Sequence, residues 1–430
     1  ANTAEIQLLN KYNRSTAVNT IIKRVLLFSS FSVLFFITGC EDEAADNDNT
    51  LSTDKFNISR VDVKSTGDAS QSSPELIRFI NSSEGVIVNS SQNTIDFFTI
   101  SSSELTITGE SINITDSDDA ECSSIDVSVD ESIIAVVVTF GSCQRGELYL
   151  VDASTRQKYG PYELGYNPDA VDIAVDNEFV VVVNEYDYED GTAGCTEPYY
   201  PGVTIWDVGQ GLDNGTLVKH MKITHTGENG NLAEPEGVKI APDGETVYMT
   251  LQESNQMGWF SILSPPDTLQ DYVSFTSAIH EPDGIWVNST GTVVCTGGEY
   301  DGKLGVTLLN SDGTPGAQYY ANLADDLPST WTWTDERKGI EPEEVVIAEH
   351  DGKSYVLATL QDPAAVVVYD ITDPTNPTWD SGAITQIIDY STGDGESTGE
   401  SEGLAYKDGY VLVSNTADPS VCLLKASWAD

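Results

Sequence analysis

The sequence is short of positive charge: its 430 residues hold 20 Lys plus Arg against 69 Asp plus Glu, a net of −49. Such a field repels nucleic-acid phosphates and anionic lipid surfaces, which argues against nucleic acid as a partner. The sequence also lacks any Cys-x-x-Cys pair or Cys/His cluster, so nothing points to zinc. No stretch reads as an amphipathic helix. The one long apolar run, Val25 to Ile37, is short for a membrane span and is soon followed by acid. Two G-x-S-x-G matches between Gly395 and Gly403 sit in a Gly/Ser/acid loop with no helix after them, which excludes a nucleophile elbow.

What is present is a repeat. From Glu234 to Gln252 the chain reads E-P-E-G-V-K-I-A-P-D-G-E-T-V-Y-M-T-L-Q, two short apolar runs around Pro242-Asp243-Gly244. Pro fixes φ and Gly accepts positive φ, so the stretch reads as a strand hairpin. Its start, Pro235-Glu236-Gly237, has counterparts at Pro74-Glu75-Leu76, Pro168-Asp169-Ala170, Pro282-Asp283-Gly284, Pro342-Glu343-Glu344 and Ser401-Glu402-Gly403, with a looser one at Cys122-Ser123-Ser124. Seven units of three or four short strands predict an all-β chain folded as a β-propeller, a closed ring of seven antiparallel blades. Two β-sandwiches would not explain the recurring start. The last unit lacks a fourth strand, and the alternating stretch Phe56–Val63 is left over and placed to complete it.

The N-terminal region divides before this domain. Lys23-Arg24, the apolar run and Thr38-Gly39-Cys40 form an export-signal pattern. Ile37-Thr38-Gly39-Cys40 resembles the lipobox of bacterial lipoproteins, which implies a signal over 1–39 and lipidation of Cys40. Glu41 after the Cys implies the outer membrane or cell surface of a Gram-negative bacterium. Residues 40–56 read as an acidic tether and 57–430 as the propeller. Cys122 and Cys143 flank one hairpin and are candidates for a disulfide outside the cytoplasm, whereas Cys295 and Cys422 read as buried small hydrophobes.

Strand order gives the candidate site. In an antiparallel blade the start of the inner strand and the end of the second strand share one face. That places Glu75, Asp169, Glu236, Asp283, Glu343 and Glu402 with Asn184, Gln252, Gln361 and Asn415 around one mouth of the central channel. Oxygen donors from several blades suit Ca2+, and confined carboxylates need a cation, water or basic side chain. Arg337 and Lys338 are the nearby basic candidates. The same acids would alternatively accept backbone N–H groups at blade junctions. His280 is placed near the mouth as a candidate base or ligand contact, and Trp331 and Trp333 as candidates for stacking a ligand.

Lys338-Gly339-Ile340-Glu341-Pro342-Glu343, with Val368-Tyr369-Asp370-Ile371-Thr372-Asp373-Pro374 and Glu402-Gly403-Leu404-Ala405, resembles the choice-of-anchor I family of surface-anchored propellers from about Pro74 onward. The resemblance implies a propeller at the cell surface, and phosphatase- or phytase-like labels on some relatives, but no general activity. Two functions are expected from the sequence. One is a lipid-anchored binding or scaffold module, with calcium in the channel, for a surface ligand or protein partner. The other is a calcium-dependent phosphoesterase- or lactonase-type hydrolase.

Overall fold

The computed structural model describes residues 56–67, 72–141, 144–185, 200–226, 233–275, 279–300, 302–327, 340–361, 364–379, 385–386, 400–417 and 419–428. The expected signal, residues 40–55 of the expected tether with Cys40, and Cys143, Trp331, Trp333, Arg337 and Lys338 lie outside these residues, whereas Phe56, expected as the end of the tether, opens a strand.

Seven antiparallel sheets follow one another along the chain. Blade one runs from Pro74 to Asn113, blade two from Ala120 to Tyr166, blade three from Pro168 to Lys222 and blade four from Val238 to Ser274. Blade five runs from Pro282 to Asn322 and blade six from Pro342 to Trp379, with the short strand Thr385–Gln386 also pairing there. Blade seven takes its three inner strands from Ser401 to Trp428 and its outermost strand from Phe56–Ser65. This closing strand pairs with Ser420–Trp428, Phe56 facing Trp428 and Ser65 facing Ser420. The first strand among the described residues therefore completes the last blade.

The middle strands are apolar on both faces. Ile133–Phe140 and Phe179–Asn184 are runs of Val, Ile and Ala with nearly every residue buried. A period-2 strand would suit a sheet with one wet face, whereas a continuous run suits a sheet buried on both. Each junction between neighbouring blades holds its own apolar cluster, and these run around the ring until Ile77, Phe98 and Leu105 of blade one meet Ala405, Leu412 and Leu423 of blade seven. Cys295 and Cys422 lie in such clusters as buried free thiols, as their apolar runs suggested. Cys122 is also a buried free thiol, its pKa pushed up to about 12 by burial, and its expected partner lies outside the described residues.

At the closing seam the Phe56 ring stacks on Tyr355 with centroids 4.9 Å apart and meets Trp428 edge-on at 4.5 Å. Phe56 is 1% exposed. Phe56→Ala is expected to cost about 3 kcal/mol, the usual loss for emptying a buried ring site, read as a lowered urea midpoint. A loss under about 1 kcal/mol would show that the seam is not held by this residue.

Candidate functional site

In five blades the inner strand begins with a one-residue irregularity at the repeated acid. In blade three Pro168 faces Asn184 while Val171 faces Val182, so Asp169 and Ala170 oppose a single residue. The same shift lies between Pro74 and Ile77, Pro282 and Ile285, Pro342 and Val345, and Ser401 and Leu404. A bulge re-aims the side chain that it carries, and the residue carried here is the repeated acid. Just above it a backbone bond repeats: Glu185, Gln252, Glu299 and Gln361 donate N–H to the carbonyls of Asn167, Glu234, Glu281 and Glu341. The residue after each second strand is thereby brought to the mouth beside the acid.

The small residue after the acid has a steric cause. A Cβ on Gly237 would lie 2.7 Å from the Asp283 carbonyl oxygen, and one on Gly284 2.4 Å from that of Glu343. Hydroxyls tie the same junctions. Thr250 Oγ1 accepts from Gly237 N and donates to Asp283 O, both at 2.7 Å, and Thr359 and Ser414 link the neighbouring blades to the Glu402 and Glu75 carbonyls. In these blades the acid's main-chain carbonyl serves the junction, and its carboxylate is left for the channel.

The carboxylates line a cavity of about 460 Å³. Its described lining includes Glu75, Asp169, Glu185, Glu236, Asp283, Glu343 and Glu402, with Gln252, Gln361 and Glu299. Arg78 is the one basic residue among them. Much of the ring is satisfied locally. Glu75 Oε1 accepts from Ser73 and Ser90 hydroxyls at 3.0 and 2.8 Å, Glu402 Oε1 from Gln361 at 2.9 Å, and Glu299 Oε2 from Gln252 at 3.1 Å. Between blades three and four Asp169, Glu185 and Glu236 instead converge, one oxygen of each lying within 4.8 Å of the others. That spacing can hold a metal ion.

Burial followed by like charge pushes the acids toward their neutral forms. The Asp169 carboxyl is raised to about 7, by desolvation and then by Asp283. Glu402 is raised to about 8, by desolvation and then by Glu75. Glu236 stands well above the usual range, being buried with Glu185, Asp169 and Asp283 around it.

Deeper in the channel the charges are paired. Arg78, Asp172, Lys239 and Trp286 each stand three residues beyond their blade's repeated acid, and Asp126 three beyond Ser123, which holds that place in blade two. Arg78 makes a bidentate pair with Glu344 at 2.7 and 3.0 Å and lies 3.7 Å from Asp126. Lys239 pairs with Asp172 and sits 4.4 Å over the Trp286 ring. Burial alone would lower the Lys239 pKa, but Asp172 and Asp126 hold it raised. Glu344, standing where other blades have Gly, thus pairs inside the channel.

The expected mouth residues separate by side-chain length. The Asn184 amide turns away from the ring, accepting from Gly165 N of blade two at 2.8 Å and donating to Gly202 O of its own blade at 3.3 Å. Asn415 likewise bonds Ser401 and Ser420. Gln252 and Gln361, one position further along and one methylene longer, reach the ring. His280 lies beside it, in a recess of about 180 Å³ shared with Glu253, Asn255, Glu281 and Tyr300. Sequence reasoning missed Glu299, the place of Glu185 in the acid cluster, and the Arg78 and Lys239 pairs. The three-residue offset from each repeated start was the signal for the pairs.

Residues 79–266 match the Choice-of-anchor I domain. The match runs from within blade one to within blade four, a shorter span than the sequence resemblance implied. No curated protein matches the chain. Among solved structures, the β-propeller domain of Cps50 (Swd1) from Myceliophteria thermophila is 6% identical, with TM-score 0.56 over 84% of this chain and 99% of that one. A streptogramin B lyase is 14% identical, with TM-score 0.56 over 86% and 98%. The virginiamycin B lyase of Staphylococcus aureus, solved as a catalytically inactive form with quinupristin, is 10% identical, with TM-score 0.55 over 86% and 99%. At these identities the likeness is one of fold alone, and the Choice-of-anchor I match is a similarity over residues 79–266.

The raised carboxyls fix a pH dependence. The folded state keeps protons on Asp169 and Glu402 that the unfolded chain releases near 3.8 and 4.5, so their contribution is full below those values and is lost as pH rises through about 7 and about 8. Surface acids with lowered pKa, such as Asp130 at about 2, are already ionised in that window. In chelator, the melting temperature is expected to fall from about pH 5 to about pH 8. A rising or flat profile would show that the ring is held ionised.

Proposed function

We propose that this protein is an exported, lipid-anchored binding module of the cell surface whose channel mouth holds a divalent cation. The observation that carries the reading is the convergence of Asp169, Glu185 and Glu236 in a cavity whose one described basic lining residue, Arg78, is already paired with Glu344. A cation there would exchange for the protons that burial now favours. The donors are carboxylates with amides nearby, hard oxygens of the kind calcium takes in flexible geometry, so Ca2+ is the ion of this reading. Held by one side of the ring, it would leave coordination positions toward the mouth for oxygens of a surface ligand or protein partner.

The anchoring part rests on Ile37-Thr38-Gly39-Cys40 and on the basic and apolar residues before it. Among the described residues no helix is long and apolar enough to cross a membrane. Attachment in this reading is through lipid on Cys40, at the outer membrane or cell surface of a Gram-negative bacterium.

One observation favours the hydrolase reading as second. The mouth has the size of a small-molecule pocket, and the His280 recess shares Glu253 and Glu281 with its lining. A calcium ion polarising a phosphoryl or lactone oxygen beside a histidine is a workable arrangement. The site lacks a described nucleophile–base pair, so binding is preferred.

Metal analysis and melting curves separate the readings. The protein is expected to retain calcium after desalting, and excess Ca2+ over chelator should raise the melting temperature by about 3 °C at a hundredfold excess over Kd. Glu236→Ala should abolish both effects. Absence of metal and indifference to chelator would overturn both readings. Turnover of a generic phosphoester or lactone by the calcium-loaded protein, lost in Glu236→Ala, would replace the binding reading with the hydrolase.

A further inference from the structure

We infer that the acidic mouth opens away from the lipid surface that holds the N-terminal anchor, and that the opposite face, bearing the hairpin tips, is turned toward that surface. The inference rests on the lipid-anchored reading above and adds to it a direction. Strand polarity supplies the reason. In blade seven Ser401 starts at the mouth, and Asn415 returns to it, where it faces Ser420. The strand from Ser420 then runs away from the mouth to Trp428, and Phe56 faces Trp428. The closing strand therefore enters at the face opposite the mouth.

That entry point is fixed to the ring. Phe56 is stacked on Tyr355 of blade six, and Trp428 beside it is stacked on His350 at 4.5 Å. About 16 residues join Cys40 to Phe56, a covalent reach of at most roughly 55 Å. The closing strand itself rises about 33 Å over its length. Bringing the mouth down to the lipid would use more than half of that reach merely to pass the blade.

The two faces also differ in chemistry. The mouth gathers the oxygen donors described above, which an adjoining lipid layer would cover. Hairpin tips on the other face expose Val129 at 68% and Val175 at 44%, with exposed Pro242 at the matching position of blade four and Leu263 at 66% close by. These tips alternate with Asp130, Asp176 and Asp243, so the face suits close approach to lipid rather than insertion. The mouth then receives its ligand from the outer medium.

Two isosteric substitutions test this in the full lipid-anchored chain, in a Cys143→Ser, Cys195→Ser background that removes the two cysteines which, apart from Cys40, lie outside the described residues. Ser91→Cys places a thiol by the mouth, and Ser289→Cys places one on a hairpin tip of the opposite face. Both native serines are exposed. Labelling by a maleimide carrying a polyethylene glycol of about 5 kDa is timed on chain reconstituted in vesicles containing phosphatidylglycerol and on the same chain in detergent. The expected result is an unchanged rate for Ser91→Cys and a rate several-fold slower in vesicles for Ser289→Cys. Equal protection of both sites, no protection, or protection of Ser91→Cys alone would overturn the orientation. Failure of the unsubstituted chain to partition with vesicles, or retention of partitioning in Cys40→Ala, would instead sink the anchor reading on which the orientation rests.

Discussion

The ring is spaced by a main-chain contact. The carbonyl of a repeated acid lies against the glycine that follows the acid of the preceding blade, too close for any Cβ between them at Gly237 and Gly284. Thr250, Thr359 and Ser414 hydroxyls bridge equivalent junctions. With the carbonyl committed outward to a neighbour and the strand bulged by one residue, the side chain is left to project to the axis. Closing the propeller and crowding its mouth with carboxylates are consequences of one local arrangement.

Two tiers of charge result, and they behave differently. In the lower tier Arg78 and Lys239 are matched to Glu344, Asp126 and Asp172, and such pairs lock geometry because removing either partner strands a buried charge. The upper tier has no comparable cations among its described lining. Hydroxyls and glutamine amides steady Glu75, Glu299 and Glu402, which leaves the seam between blades three and four as the place where charge accumulates. The lower tier thus acts as a rigid floor under a chemically responsive rim.

The architecture was legible because each blade repeats its own punctuation. Pro-acid-small starts and continuous apolar strands marked seven units, and the unclaimed Phe56 strand showed how the ring closes. The direction of the acids followed from strand polarity alone. The details that escaped depend on single residues. Asn184 and Asn415 have the chemistry of ligands, but their short side chains are taken up before reaching the axis, Asn184 by blade two and its own blade and Asn415 within its blade. Glu185, one residue along, occupies the position that Asn184 was expected to fill, because the bulge shifts register by one. Arg78 and Lys239 were not singled out, since their shared offset from the repeated acids identifies partners only once strands of different blades are set side by side around the axis. The aromatic and basic loop residues Trp331, Trp333, Arg337 and Lys338 lie outside the described residues.

The closing strand also has a mechanical meaning. Any pull arriving through the chain before Phe56 meets the ladder between Phe56–Ser65 and Ser420–Trp428 at its far end from the mouth. A pull along the strand axis loads the ladder's hydrogen bonds together, as shear, whereas a sideways pull would open them one at a time. The aromatic cluster of Phe56, Tyr355, Trp428 and His350 sits at the point where peeling would begin. It resembles a rivet at the end of a seam, and it couples force on the N-terminal side to the integrity of the whole ring.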